Sequence, residues 1–320
     1  LSETVVIVDP GSGARAEVRP GSGFNCTRFQ PVLNGRPVDV IWTPEAFCAE
    51  TWKPYHGGVP ILFPFAGRIR DARFSFQGRT FRLPEEDGMG NALHGLVCGR
   101  PWTVVEQSAS RITGRFDGSK LDPRLRTMWP ADFELTVSYE IHENELRCLF
   151  SFRNVDPTFH LPCSFGLHPY FRIPVAKADR GFAVVKVPAS SCWEVDSRLL
   201  PSGRRVPAVR ELALKDGIPF DLLELDHIFG DLVFENGRCT VGFRAPDNSC
   251  VVWMSFPELF QCCVVYTPPH REAICIEPYT AIPDPFSLQN NGEETGLMVL
   301  AQGEQCSGWV RMGVLSGANR

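Results

Sequence analysis

The sequence lacks the usual marks of metal and nucleotide chemistry. Its twelve cysteines include no CxxC pair, and its seven histidines show neither HxH nor HExxH spacing. No metal site is therefore expected. No GxSxG, no GxxxxGK[ST] and no helix-opening GxGxxG occurs. That speaks against an α/β-hydrolase, a P-loop enzyme and a dinucleotide-binding enzyme. The Gly11–Gly13 and Gly21–Gly23 triplets read as turns, because no helical pattern follows them. A basic excess is also missing. The net charge is −5, which argues against a protein that tracks nucleic-acid phosphates. No apolar run approaches the length of a membrane span. The opening residues, LSETVVIVDP, lack a basic segment followed by an apolar core, so no signal peptide is expected. The cysteines are scattered, several of them in apolar runs where a free thiol acts as a small buried hydrophobe. A reducing, cytoplasmic setting fits that usage.

Helical periodicity is equally scarce. Short helical turns are expected near Pro44–Thr51 and Arg210–Leu214, and none beyond two or three turns. No βαβ alternation appears, which excludes Rossmann and TIM architectures. The dominant pattern has period two. Phe133, Leu135, Val137, Tyr139 and Ile141 alternate with polar residues, and Leu146, Cys148, Phe150 and Phe152 return after a turn at His142–Glu145. Alternation of this kind places apolar side chains on one face of a strand. Further hairpins are expected around Gln77-Gly78 and Asn236-Gly237, the latter a strong turn signal. Other strand candidates are Val5–Val8, Val38–Trp42, Thr103–Glu106, Val184–Val187, Val251–Ser255, Cys262–Tyr266, Ala273–Ile276 and Leu297–Leu300. The 28 glycines and 27 prolines are spread along the chain rather than gathered in a linker. The expectation is an all-β fold, a large antiparallel sandwich in one domain over residues 1–320.

Five segments combine chemistry-bearing residues with turn formers or buried runs. Gly57–Ile69 ends an apolar stretch on Arg68, whose guanidinium could donate several hydrogen bonds to sugar hydroxyls. Read alone, it is a turn and a core strand. Leu93-His94-Gly95 follows a glycine-rich approach that would let a ligand come near the backbone; alone, His94 reads as structural. Phe165–Phe171 sets His168 among aromatics, either as a core histidine or as a proton donor on an apolar platform. Leu225–Phe229 inserts Asp226 and His227 between apolar residues, and reads most simply as a turn with an Asp cap. Ala273–Tyr279 runs an apolar strand into Glu277 just before Pro278, either a solvated strand end or a positioned general base.

In this order the five segments resemble the aldose 1-epimerase (galactose mutarotase) family, from about Gly57 to Asp284. GGVPILFPFAGRI is similar to the family's first signature, with Arg68 at its second arginine. LHG corresponds to His94, GLHPYF to His168, LDHIF to Asp226 and CIEPYTAIPD to Glu277. Two departures bear on sugar preference: Gly67 stands where many members carry Asn, and Pro169–Arg172 stands where many read Thr-Tyr-Phe-Asn.

The resemblance implies the family's β supersandwich, with the site in a cleft on one sheet face. It also implies a mutarotase that interconverts the α and β anomers of an aldose. Glu277 would take the proton of the anomeric hydroxyl, and a protonated His168 would donate one to the ring oxygen. Arg68 and His94 would bind oxygens near the reacting centre, and Asp226 would accept bonds from ring hydroxyls. No cofactor is needed for two positioned proton transfers. The expected partner is a small-molecule sugar, with no nucleic acid and no membrane; oligomeric state is not legible. Three alternatives stay open. One is a non-catalytic sugar-binding protein on the same scaffold. Another is a glycoside hydrolase using Asp226 and Glu277. The third is a hexose-6-phosphate 1-epimerase. That branch places arginines where this chain has His56 and Cys98, although Arg70 and Arg100 lie close in sequence.

Overall fold

Glu143 and Asn144 both take positive φ, 49° and 69°, the two-residue turn whose twist matches the strands it joins. It links Phe133–His142 to Glu145–Asn154 in a continuous ten-pair antiparallel ladder. Gln77-Gly78 closes a second hairpin, Arg73–Phe76 with Arg79–Arg82. Asn236-Gly237 closes a third turn, at the Glu235–Arg238 bridge. The computed structural model describes residues 4–45, 47, 53–173, 183–245 and 249–317.

Two large antiparallel sheets dominate. The nine-stranded sheet runs in the order Thr103–Gln107, Arg111–Asp117, Phe133–His142, Glu145–Asn154, Gln305–Ser316, Cys250–Pro257, Arg238–Arg244, Val184–Lys186 and Ile218–Pro219. The eight-stranded sheet runs Pro201–Pro207, Ala189–Val195, Asp226–Leu232, Cys262–Tyr266, Ala273–Tyr279, Gly166–Leu167 and Ile61–Leu62, with Tyr170–Arg172 also pairing with Ala273–Tyr279. Their facing sides form one buried apolar cluster. Leu135, Val137 and Ile141 come from the larger sheet; Phe229, Val265, Ile274 and Ile276 come from the smaller. The ring stack of Phe150 on Phe165, centroids 3.8 Å apart, and the edge contact of Phe171 with Phe243 join the two layers. Such offset and edge contacts stabilise by about 0.5–1.5 kcal/mol each beyond their buried area.

Most expected strands are present, several of them longer at one end. Val38–Trp42 is different. Val40 N–H donates to Phe29 O, while Trp42 N–H donates to Tyr170 O and Ile41 bridges Phe171. The segment divides its hydrogen bonds between two strands, so no continuous ladder forms. The expected turn at Arg210–Leu214 appears as two 3₁₀ turns, Arg210–Leu212 and Leu214–Asp216. Of the Pro44–Thr51 turn, residues 46 and 48–51 lie outside the described residues. The helices Gly118–Leu121, Leu125–Met128 and Pro285–Asn290 were not expected; at four to six residues they are too short to show a period. Among the described residues, no helix is long and apolar enough to cross a membrane.

Candidate active site

Strand register builds the site. Trp193 opposes Ile228, Ile228 opposes Val264, and Val264 opposes Glu277. Directly opposed residues point to the same face, so these four form a row across the outer side of the smaller sheet. The strand beyond Glu277 is interrupted at Pro169. Its flanking pairs, Gly166 with Tyr279 and Tyr170 with Cys275, keep one register. That register sets His168 level with Glu277. A second row places Asp226, Tyr266, Cys275 and Tyr170 side by side. Arg68 and His94 arrive from outside the sheet, on the short ribbon that pairs Arg68–Ile69 with Ala92–Leu93. The His94 N–H donates to Gly67 O at 2.9 Å.

All five residues expected to form the site line one cleft of about 150 Å³, together with Tyr55, His56 and Tyr170 among others. Two sequence readings change. Glu277 is no strand end: the strand continues through Pro278 to Tyr279, and Glu277 is 1% exposed. Asp226 is no turn cap but the first residue of a strand. A side chain at Gly95 would meet the backbone of Phe63 at 2.4 Å, so this glycine lets a neighbouring segment approach, whereas Gly88 and Gly90 in the preceding loop have open space beside them. Gly67 has φ 71°, and a Cβ there would lie 2.7 Å from Pro283. Pro283 thus occupies the space that a larger residue at position 67 would need.

The polar contacts are few and specific. His168 Nε2 lies 3.3 Å from Glu277 Oε1. The Tyr279 hydroxyl donates a short hydrogen bond to Glu277 Oε2, and the Tyr170 ring stacks on His168 with centroids 4.8 Å apart. His94 meets His168 edge-on at 5.0 Å. The Nδ1 atoms of both histidines are buried without a hydrogen-bond partner. Arg68 sits between two acids: Nε is 3.3 Å from Asp87, and a terminal nitrogen is 3.9 Å from Asp226. Burial would raise the Asp87 carboxyl, but bonds from Asn91 and Met89, with the charge of Arg68, hold it below the usual range.

Burial acts on the central pair in the opposite sense to ionisation. It pushes Glu277 well above the ordinary carboxyl value against the Tyr279 hydrogen bond. It pushes His168 down to about 3, and the charges of His56 and Arg68 add to that. His94 is likewise lowered by burial and by the neighbouring His168 and Arg68. Burial thus disfavours the charged form of each group, and at 3.3 Å the two are close enough for one proton to pass between them. For His168 this works against the protonated form that the resemblance implies, because an imidazolium there loses its hydration, while a Glu277 carboxylate 3.3 Å away would favour it. Asp226, at the mouth, is raised by burial, with Arg68 opposing.

Sequence reasoning overlooked Asp87, Tyr55 and Tyr266; it placed Tyr170 only among the aromatics around His168 and gave Tyr279 no place in the site. The last two stand two residues beyond His168 and Glu277 in extended chain, so period-two alternation would have put them on the cleft face. Asp87 lies in an acidic, glycine-containing loop with no such signal. Cys275 also joins the cluster: its thiol and the donor atoms of His168 and Glu277 lie within 4.8 Å of one another.

Comparison with known proteins agrees with this fold. A curated relative, the protein YihR of Escherichia coli K12, is 22% identical over 228 residues, 71% of each chain. Other curated relatives are matched over little more than half of their own length. The galactose mutarotase-like protein of Clostridium acetobutylicum superposes with a TM-score of 0.85 at 23% identity, covering 95% of this chain and 93% of that one. The galactose 1-epimerase of Lactobacillus acidophilus NCFM gives 0.73 at 17% identity, covering 99% and 100%. These structural likenesses establish the fold, an antiparallel galactose mutarotase-like β sandwich. The family profile described as aldose 1-epimerase matches residues 27–313, and on that match the chain belongs to the aldose 1-epimerase family.

Proposed function

We propose that this protein is an aldose 1-epimerase acting on a free hexose, with Glu277 and His168 as its acid–base pair. The observation that carries the reading is the 3.3 Å contact of His168 with Glu277, inside a cleft that also presents Arg68, His94 and Asp226. One proton is held between the two groups. Its transfer from Glu277 to His168 gives a carboxylate base beside an imidazolium acid. The carboxylate takes the anomeric hydroxyl proton, the C1–O5 bond breaks as His168 gives its proton to O5, and the open-chain aldehyde forms. Rotation about C1–C2 and closure with the roles reversed yield the other anomer. Arg68 and His94 bind oxygens near the reacting centre, and Asp226 accepts bonds from ring hydroxyls. The hydrolase alternative, with Asp226 and Glu277 as its carboxylates, leaves His94 and His168 without a role in the cleft they line.

The cleft is poorly equipped for a phosphate. Arg100 is paired with Asp122, and Arg70 with Asp284 and Asp196. Arg68 is the one guanidinium among the described lining residues. The His56 imidazole is shifted toward neutrality by burial and by Lys53, and burial pushes the Cys98 thiol up to about 12. Two missing charge-assisted contacts correspond to roughly 1.5–3 kcal/mol each. A kcat/KM at least tenfold higher for glucose or galactose than for glucose 6-phosphate is expected; a preference for the phosphate ester would overturn the free-sugar reading. The primary test is polarimetry or NMR of freshly dissolved α-glucose and α-galactose. Accelerated anomer exchange is expected with the wild type and loss of at least 100-fold with Glu277→Gln or His168→Asn. Sugar affinity without exchange would leave a binding protein. Exhaustive dialysis against chelator should not lower the rate. The buried free thiols fit a reducing, cytoplasmic setting.

A further inference from the structure

We propose that His168, Cys275 and Glu277 form an inhibitory binding site for a borderline-soft divalent cation of the Zn(II) type. Their donor atoms lie within 4.8 Å of one another, and all three residues are buried. Zinc bonds of about 2.0–2.3 Å in a tetrahedron set ligands roughly 3.5 Å apart. Closing the longest separation thus asks for about 1 Å, a small side-chain rotation. The register explains why the donors converge. Cys275 and Glu277 are alternate residues on one face of a strand, and His168 stands beside them on the next.

The donor set selects the ion. Imidazole nitrogen, thiolate sulfur and one carboxylate oxygen suit zinc, cobalt or cadmium. They do not suit magnesium or calcium, which take oxygen shells. Outer partners are already in place. The Tyr279 hydroxyl holds Glu277 Oε2 and leaves Oε1 toward His168, and Tyr170 stands directly opposite Cys275 on the neighbouring strand. Groups that orient the ligands in this way are half of a working metal site. Three protein ligands leave a fourth position, which faces the cleft through His168 and Glu277. Binding releases the thiol proton and the carboxyl proton to solvent and puts the metal on both proposed acid–base groups. The metal is therefore an inhibitor competing with sugar, not a cofactor. The inhibition rests on the acid–base reading; the binding itself does not.

The test uses the full chain, freed of metal by dialysis. Cobalt(II) chloride is titrated while the near-ultraviolet band of a thiolate–cobalt bond is recorded, and zinc chloride is titrated by calorimetry and in the mutarotation assay. One equivalent should bind, with the thiolate band, and zinc should raise the apparent KM for sugar. Cys275→Ser and Cys275→Val should lose the band and bind zinc at least tenfold more weakly, and the mutarotation each retains should resist zinc. Two variants guard against a single misfolded one. A protein that binds cobalt with the band but never mutarotates would overturn the acid–base reading and keep this site. Absence of the band, or zinc inhibition unchanged in both variants, would overturn the site.

Discussion

At Glu277 and His168 the fold opposes the ionisation of both groups, and this has consequences for stability as well as rate. The folded Glu277 carboxyl is raised well above 4.5 by burial. Between pH 4.5 and its folded value, the unfolded chain has released a proton that the folded chain retains, so stability falls as pH rises. His168, at about 3 in the fold against 6.5 outside it, acts at the other end: stability falls as pH falls below 6.5. A glutamine at 277 can accept from Tyr279 and donate to His168 as the protonated carboxyl does. Glu277→Gln should therefore melt higher than wild type, by a margin that grows between pH 5 and pH 8. Melting curves showing a constant or shrinking margin would mean that the carboxyl ionises freely in the fold. The rate should follow a bell. Its acid limb marks a second proton joining the pair, below 6.5, and its basic limb marks loss of the one shared proton, above 4.5. These limbs belong to the pair, and removal of His168 should abolish the bell rather than move one limb.

At the scale of elements, one wall of the cleft is a turn held by crossed ion pairs. Val195 and Leu199 line the cleft from the Ala189–Val195 strand and the turn that follows it. Asp196 accepts from the backbone N–H groups of Arg198 and Leu200. The turn is then clasped to its neighbour by Arg70 with Asp196 at 3.3 Å and Arg198 with Asp71 at 2.8 Å. Arg70 is itself anchored by the buried Asp284. Pairs as exposed as these hold the turn only weakly, because water and salt screen them. Arg198→Ala should accordingly raise KM for sugar roughly two- to fivefold with kcat unchanged. Added salt should raise KM in the wild type and much less in the variant. A fall in kcat at constant KM would place the turn in the chemistry instead of in substrate retention.

For the whole molecule, the central cluster draws residues from Ile7 to Met312. We propose that the chain is one domain that unfolds in one step, with near- and far-ultraviolet dichroism giving coincident melts. Two separated transitions would divide it. The described cysteines are mostly buried and no disulfide joins any two of them, so dithiothreitol should leave the melting temperature unchanged. A clear drop would reveal a structural disulfide.

The strands and hairpins were legible because their cause is local. Alternation at Phe133–Ile141 and the Asn236-Gly237 turn each act within a few residues. The site residues were legible singly, at Arg68, His94, His168, Asp226 and Glu277, through their place in five short motifs. Their protonation and partners were not. That Glu277 is buried against Tyr279, that His168 stands level with it across Pro169, and that Cys275 comes within reach of both are facts of cross-strand register. Register couples residues more than a hundred positions apart, and the environment it creates, not the residue type, decides where a proton rests.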